Sequence, residues 1–349
     1  MQALEYFPGG NTPFGFYNYF DFILPAADAN RRIFLKGGPG TGKSTLMKTI
    51  AAALIRNGYT VHLLHCSSDP DSLDAIVAPA LGFCMADGTA PHICDPIYPG
   101  ATDEIINLGQ FWDAEKIHEN KNNIMAVSKE ISSAFSSAYD YLASAAHVLE
   151  HQTKLALKHA DRKGITHRLN ALIADLDLQP HVCKPGKIKK GFLSGITPKG
   201  IVNYLSVFAG EKIKTIRVKS SFDLSTLFLN PLANLLMQNG ADIYLFYCPM
   251  QPDSKIEHIY LPEENLLITT KNAYHTCEET ADEIDLDEYI DLYPEKHTDT
   301  EIINLLLKHA VNSIEKAKSL HDDLERFYVP HMNFNAIQLL ANRIIEVLL

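Results

Sequence analysis

Residues 32–45 read Arg32-Ile-Phe-Leu-Lys-Gly-Gly-Pro-Gly-Thr-Gly-Lys-Ser-Thr45, and this stretch decides the fold. The apolar run 32–36 predicts a strand, and residues 45–57 predict a helix that begins near Lys43. Between them lies the pattern GxxxxGK[ST], which has its usual meaning only between a strand and a helix. The sequence therefore predicts a strand, a phosphate-binding turn and a helix, an arrangement typical of an α/β domain.

The segment Gly37–Thr45, which we call the P-loop segment, contains the residue types that a triphosphate requires. Its glycines let backbone N–H groups wrap around phosphate oxygens, and the start of the helix adds a partial positive charge. Lys43 is expected to reach the β- and γ-phosphates, and the Ser44 hydroxyl is expected to bind Mg²⁺. The predicted nucleotide-binding residues are Gly37, Gly38, Pro39, Gly40, Thr41, Gly42, Lys43, Ser44 and Thr45.

Two aspartates are candidates for the acidic group of a Mg²⁺ site. Residues 80–86 form an apolar run that predicts a buried strand, and Asp87 follows it, as expected for a metal-binding aspartate. Asp69 follows another predicted strand and is either a catalytic base or a solvated turn residue. We predict Ser44 and Asp87 as the metal ligands. Lys43, Asp69 and Asp87 are the predicted catalytic residues, and the choice between the two aspartates as the Mg²⁺ ligand stays open.

ATP is the predicted nucleotide, because the sequence contains no Asn-Lys-x-Asp motif of the kind that usually reads guanine. The leading prediction is a Mg²⁺-dependent ATPase that couples hydrolysis to a conformational change. No glutamate follows Asp87, so the water-activating carboxylate common in motor-type ATPases is not evident. A small-molecule or nucleotide kinase is therefore an alternative, and a non-hydrolysing ATP sensor or scaffold is another.

The sequence repeats itself, which predicts a tandem duplication. Residues 7–20 match residues 192–205 at seven of fourteen positions, and residues 57–72 match residues 239–254 at seven of sixteen. Each half then ends in two stretches with apolar residues at helical spacing. These paired stretches predict a helical hairpin at the end of each half.

The predicted fold is α/β, with two P-loop NTPase-like three-layer units in tandem. Each unit is expected to be a parallel sheet flanked by helices, with a helical hairpin appended. The predicted domains cover residues 1–180 and 190–349, joined by a linker rich in proline and lysine. The second unit is predicted to be degenerate, because residues 216–227 lack the glycines and the lysine of the P-loop segment, and Thr270 aligns with Asp87. We therefore expect the two repeats to pack together, with a nucleotide site in the first only.

Composition argues against several function classes. The formal charge of −11 offers no phosphate-neutralising surface, so nucleic acid is not an expected partner. No apolar run approaches the ~20 residues that span a bilayer, and residues 1–10 are not typical of a secretory signal. The six cysteines include no CxxC pair, which fits reduced thiols. We expect a cytoplasmic protein without nucleic-acid or membrane binding, and the composition identifies no protein partner.

Five motifs together resemble those of a known family. They are Phe7-Pro-Gly-Gly-Asn-Thr12, the P-loop segment, His65-Cys-Ser-Ser-Asp69, Asp87-Gly-Thr-Ala-Pro-His92 and Asp103-Glu-Ile-Ile-Asn-Leu108. The set is similar to an uncharacterised bacterial family of tandem P-loop ATPases. The resemblance covers nearly the whole chain and is strongest over residues 7–113. It implies a duplicated P-loop α/β fold and ATP binding, and it implies no known reaction.

Overall fold

The computed structural model describes residues 3–91, 94–176, 186–209, 213–221, 223–275, 282–290 and 296–349. Over these residues the chain is α/β, with one six-stranded sheet in each half. Part of the predicted linker, and His92 of the fourth motif, lie outside the described residues. None of the described helices carries an apolar stretch long enough to span a bilayer.

Each half forms eight strands within the described residues. The strands of the first half are β1 Glu5–Tyr6, β2 Gly9–Thr12, β3 Gly15–Asn18, β4 Arg31–Lys36, β5 His62–Cys66, β6 Asp69–Ala78, β7 Phe83–Asp87 and β8 Asp103–Asn107. Those of the second half are β9 Ile188–Gly191, β10 Ser194–Thr197, β11 Gly200–Asn203, β12 Lys214–Lys219, β13 Ile243–Cys248, β14 Gln251–Leu261, β15 Leu266–Lys271 and β16 Asp282–Asp285. The helices are α1 Lys43–Arg56, α2 Ala114–Glu119, α3 Lys121–His159, α4 Arg162–Leu176, α5 Thr226–Gln238, α6 Lys296–Glu325 and α7 Phe334–Leu348.

The two large sheets have the same strand order and are mixed. The first runs β1-β5-β6-β7-β4-β8 and the second runs β9-β13-β14-β15-β12-β16. In each sheet the third strand is antiparallel to both of its neighbours, and the remaining pairs are parallel. The prediction of parallel sheets was therefore wrong. The reason is local: only two residues separate β5 from β6, and so short a connection reverses the chain.

Each large sheet carries helices on one face only. Along β4, Ile33 and Leu35 pack with α1, whereas Phe34 points to the opposite face, as the two-residue period of a strand requires. The opposite faces of both sheets contribute to one shared apolar cluster, in which the rings of Tyr6 and Phe246 lie 5.6 Å apart. The predicted three-layer units are thus replaced by four shared layers, in the order helices, sheet, sheet, helices.

The last helix of each half packs on the other half. Apolar residues of α4 lie in the core of the second half with α5, and those of α7 lie in the core of the first half with α1. The helical stretches expected from the sequence are present, but α3 packs along α6, so the predicted hairpins do not close on their own halves. The exchanged residues are Ile165, Leu169 and Leu172 of α4 and Ile337, Ala341 and Ile344 of α7.

Matched contacts join the two halves. The backbone N–H of Phe7 donates to the carbonyl of Phe192 at 2.8 Å, and the N–H of Phe192 donates back to Phe7 at 2.9 Å. The sequence comparison aligns these same two residues with each other. Such reciprocal pairing is what a two-fold interface between like units produces. The halves therefore face each other in an approximately two-fold arrangement.

The exchanged packing predicts a large effect from a change in the last helix. Ile344→Ala should lower the free energy of unfolding by about 2–4 kcal/mol, because it leaves a cavity beside α1 in the first half. Ile344 is 3% exposed, whereas Val347 on the same helix is 73% exposed, so Val347→Ala is the matched control. Urea unfolding measures both variants. Equal losses of stability would contradict the packing of α7 on α1.

Candidate functional site

The P-loop segment connects β4 to α1, as predicted. Helix α1 begins at Lys43, and Gly42 before it has a φ of +86°. Gly40 has a φ of +64°, which is also left-handed. L-residues with a side chain adopt this region at a cost, so the turn requires glycine at both positions. The turn places the first residues of α1 at the carboxyl end of β4.

Lys43 closes over the turn that precedes it. Its Nζ donates hydrogen bonds to the carbonyls of Gly37 at 2.8 Å and Gly38 at 2.9 Å. The same nitrogen lies 3.6 Å from Oδ2 of Asp87. A lysine ammonium has three donors on a flexible stem, so it can exchange these acceptors for others nearby. The structure thus holds a positive charge over the P-loop segment.

Asp87 reaches this place through strand pairing. Strand β7 is the parallel neighbour of β4, with Asp87 opposite Leu35, so their carboxyl ends meet at one edge of the sheet. Oδ1 of Asp87 accepts the N–H of Thr89 at 2.8 Å, and the Thr89 hydroxyl donates to the carbonyl of Gly37 at 3.1 Å. Strand β7 begins later than predicted but ends at Asp87. The sequence therefore located this carboxylate correctly.

Asp69 and Ser44 lie at the same edge of the sheet. Asp69 is the first residue of β6; its Oδ2 accepts a hydrogen bond from Ser72 Oγ at 2.8 Å and lies 3.7 Å from Nζ of Lys318. Oγ of Ser44 accepts the N–H of Leu73, also on β6, at 3.0 Å. Asp69 is therefore a paired carboxylate at the start of a strand.

Three polar residues of the second half reach this edge, and sequence reasoning missed them. Near its end, α6 carries Lys318, His321 and Glu325, and Oε1 of Glu325 accepts the N–H of Gly40 at 3.1 Å. His321 Nδ1 lies 3.6 Å from the same oxygen. Their spacing of three or four residues places them on one helix face. No signal in the sequence shows that this face meets a turn 285 residues away.

Burial and neighbouring charges shift two of these groups in opposite directions. Burial lowers the pKa of His321, and Glu325 opposes this only in part. Burial also disfavours the charged form of Lys318, but its hydrogen bond to Asp322 and the nearby Asp69 carboxylate outweigh this and raise its pKa. Near neutral pH the end of α6 therefore presents a charged lysine and a neutral histidine to the site.

The chain after α6 packs directly on the P-loop segment. A Cβ placed on Gly38 would lie 3.0 Å from Cε1 of Tyr328, and one placed on Gly40 would lie 2.7 Å from Cγ2 of Val329. The approach at Gly40 is closer than real Cβ atoms show and the one at Gly38 is tighter than most, so these glycines also allow a backbone-to-side-chain contact between the halves. The second half thus covers one side of the turn.

Most of the predicted site residues meet at one edge of the first sheet. Lys43 and Asp87 lie together, and Asp69 and Ser44 are each held by contacts with β6. Comparison of this chain with protein families, with curated proteins and with solved structures finds no match. Any function assigned to this edge therefore depends on the geometry of its residues.

The contact between Gly40 and Val329 predicts a specific loss of stability. Gly40→Ala should destabilise by about 1–3 kcal/mol more than Gly58→Ala, because both have positive φ but only the first meets a neighbouring side chain. Val329→Ala in the Gly40→Ala background should recover the added loss. Urea unfolding of the four proteins of the Gly40–Val329 cycle measures the coupling. If the losses in free energy of unfolding caused by Gly40→Ala and Val329→Ala simply add, the contact is absent.

Proposed function

We propose that this chain is a cytoplasmic, Mg²⁺-dependent ATP-binding protein that hydrolyses ATP at the P-loop segment. The observation that carries the proposal is the meeting of Lys43 and Asp87, 3.6 Å apart, beside a glycine-rich turn that opens a helix. A mobile ammonium, a turn rich in N–H groups and a nearby carboxylate are the groups that a triphosphate with Mg²⁺ requires.

Each of these groups would have a distinct role. Lys43 now donates to carbonyls of its own turn, and phosphate oxygens would be stronger acceptors for the same ammonium. The Ser44 hydroxyl and the Asp87 carboxylate offer oxygen atoms, which are the ligands that Mg²⁺ prefers, so this donor set fits the ion. When bound, Mg²⁺ would offset charge on the phosphates. Lys43 would offset part of the remaining charge.

The second half supports a nucleotide site in the first half only. Asp223 is the third residue before α5, as Gly40 is the third before α1, and its φ of +62° is close to the +64° of Gly40. The Asp223 carboxylate contacts the ammonium of Lys255. A buried carboxylate in the turn would repel phosphate, and Thr226 stands at the position of Lys43. The shared strand order and the matching φ of Asp223 and Gly40 support a duplicated P-loop fold. The second copy would be degenerate, because Ser225 has a φ of −56° where Gly42 has +86°.

The contact of Glu325 with Gly40 supports coupling between nucleotide and conformation. A bound phosphate would accept a hydrogen bond from the Gly40 N–H. In this structure the Glu325 carboxylate of the second half accepts it instead. A phosphate and a carboxylate would compete for one donor and repel each other. ATP that displaced Glu325 would move the end of α6. Because α6 packs along α3, this movement would change the contact between the halves. This favours an ATPase whose cycle moves α6.

The proposal predicts one MgATP site per chain that depends on Lys43. Lys43→Ala should weaken binding by about 2–3 kcal/mol, because phosphate charge loses its partner. Lys48→Ala, an exposed lysine on the same helix, is the matched control and should bind as the wild type does. Titration calorimetry measures affinity and stoichiometry. Two sites per chain, or unchanged affinity in Lys43→Ala, would contradict the proposal.

Turnover assays on the same proteins separate binding from hydrolysis. Asp87→Asn should reduce Mg²⁺-dependent phosphate release more than it reduces nucleotide binding. If Asp69→Asn has this effect and Asp87→Asn does not, the roles of the two carboxylates are reversed. ATP binding without any phosphate release by the wild type would contradict the ATPase and leave two alternatives, a kinase that lacks its acceptor and a non-hydrolysing sensor.

The competition at Gly40 predicts tighter binding when the carboxylate loses its charge. Glu325→Gln should increase MgATP affinity about 5-fold, because about 1 kcal/mol of repulsion at partly screened charges is removed. Glu315→Gln makes the same charge change at an exposed position of α6 and should have no effect. The measurement is titration calorimetry at two salt concentrations. Equal affinities for the two variants would show that Glu325 does not oppose the nucleotide.

A further inference from the structure

A buried polar cluster lies in the second half. It contains Glu257 and His258 on β14 and His275, which follows β15. These residues are 3%, 0% and 2% exposed. One ligand atom from each, a carboxylate oxygen and two ring nitrogens, lie within 4.8 Å of one another. Two imidazoles and one carboxylate are a donor set typical of transition-metal sites.

Two threonine hydroxyls orient the imidazoles. Nδ1 of His258 lies 2.7 Å from Oγ1 of Thr269, and Nδ1 of His275 lies 3.3 Å from Oγ1 of Thr270. In metal sites a hydrogen bond to the second ring nitrogen commonly fixes the tautomer and the ring orientation. These contacts leave Nε2 of His258 available as a ligand. Nε2 of His275 is 3.6 Å from Oε2 of Glu257, and it would exchange its contact with the Ser194 hydroxyl for the metal.

His258 has a nitrogen that the described residues do not satisfy. Its Nε2 is fully buried and has no hydrogen-bond partner among them. An unpaired buried polar atom costs about 1–3 kcal/mol, so native structures rarely keep one without a reason. Nε2 of His275, by contrast, lies 2.7 Å from the hydroxyl of Ser194. A metal ion would use the unpaired nitrogen of His258.

The charges of the cluster also favour a cation. The Lys255 ammonium contacts Asp223 and lies 3.4 Å from Oε1 of Glu257, so two carboxylates share one ammonium. The cluster therefore retains a negative charge in a region without solvent, where an uncompensated charge is costly.

We propose that Glu257, His258 and His275 bind one divalent transition-metal ion of the Zn²⁺ class. The ion would tie β14 to the chain that follows β15, and the complete burial of the three ligands fits a structural ion. The first half lacks the counterpart of His258, because Ala75 pairs with Leu64 where His258 pairs with Phe246. The site uses none of the residues assigned to ATP.

Cobalt is a suitable probe for this site, because its visible absorption reports the ligands. The chelator-treated full chain, without nucleotide, should bind one Co²⁺ and release it to Zn²⁺. His258→Ala and Glu257→Gln should each weaken Co²⁺ binding at least about 100-fold, because a ligand is lost. His118→Ala removes an exposed histidine, and Asp87→Asn removes a proposed Mg²⁺ ligand; both should bind Co²⁺ as the wild type does. These two controls separate this site from the proposed Mg²⁺ site.

A second variant keeps the test decisive if a ligand variant fails to fold. Thr269→Val retains all three ligands but removes the hydroxyl beside Nδ1 of His258, and it should weaken Co²⁺ binding about 10-fold. Zn²⁺ should also raise the melting temperature of the wild type by more than that of Thr269→Val. Absence of saturable Co²⁺ binding by the wild type would overturn the proposal. Unchanged affinity in every folded variant of the cluster would do the same.

Discussion

Helix α7 covers the apolar side of α1, and helix α4 does the same for α5 in the other half. Isolated helices of this length are marginal in water, and most of their stability comes from burying an apolar face. Here the apolar faces of α1 and α5 are covered by helices of the opposite half. The exchange of α4 and α7 between the halves depends on the long helices α3 and α6. These two helices pack along each other and carry the chain from one half to the other. Each core includes a helix from the opposite half, so the stability of each half depends on packing against the other.

The exchange also determines what surrounds the P-loop segment. The chain must turn between α6 and α7 to bring α7 onto α1, and this turn lies against Gly38 and Gly40. Packing of α7 therefore brings Glu325 to the Gly40 N–H and Lys318 to Asp69. The polar groups nearest the turn come from both halves. A change in the conformation of the P-loop segment would therefore alter the contact between the halves.

The turn before α5 matches the P-loop segment at one position and differs at another: Asp223 has nearly the φ of Gly40, whereas Ser225 has a φ of −56° where Gly42 has +86°. Asp223 keeps the left-handed conformation of Gly40, and its carboxylate is neutralised internally by Lys255. Asn265 and Asp223 are the non-glycine residues with positive φ among the described residues, which shows how unusual such a retained conformation is. Buried charges persist only when they are paired. Lys255 therefore offsets the Asp223 charge within the second half.

The sequence by itself determined the local structure of the first site: β4, the P-loop segment, α1, and the placement of Asp87 at the end of an apolar strand. It also located the helical stretches, and it shows internal matches between two halves that have the same strand order. These features depend on glycine content, residue period and spacing, all of which act over a few residues. The tertiary structure alone decided the mixed strand order, the packing of sheet on sheet and the position of Glu325. An amphipathic pattern shows that a face is buried but not what covers it, and here the covering helix comes from the other half of the chain.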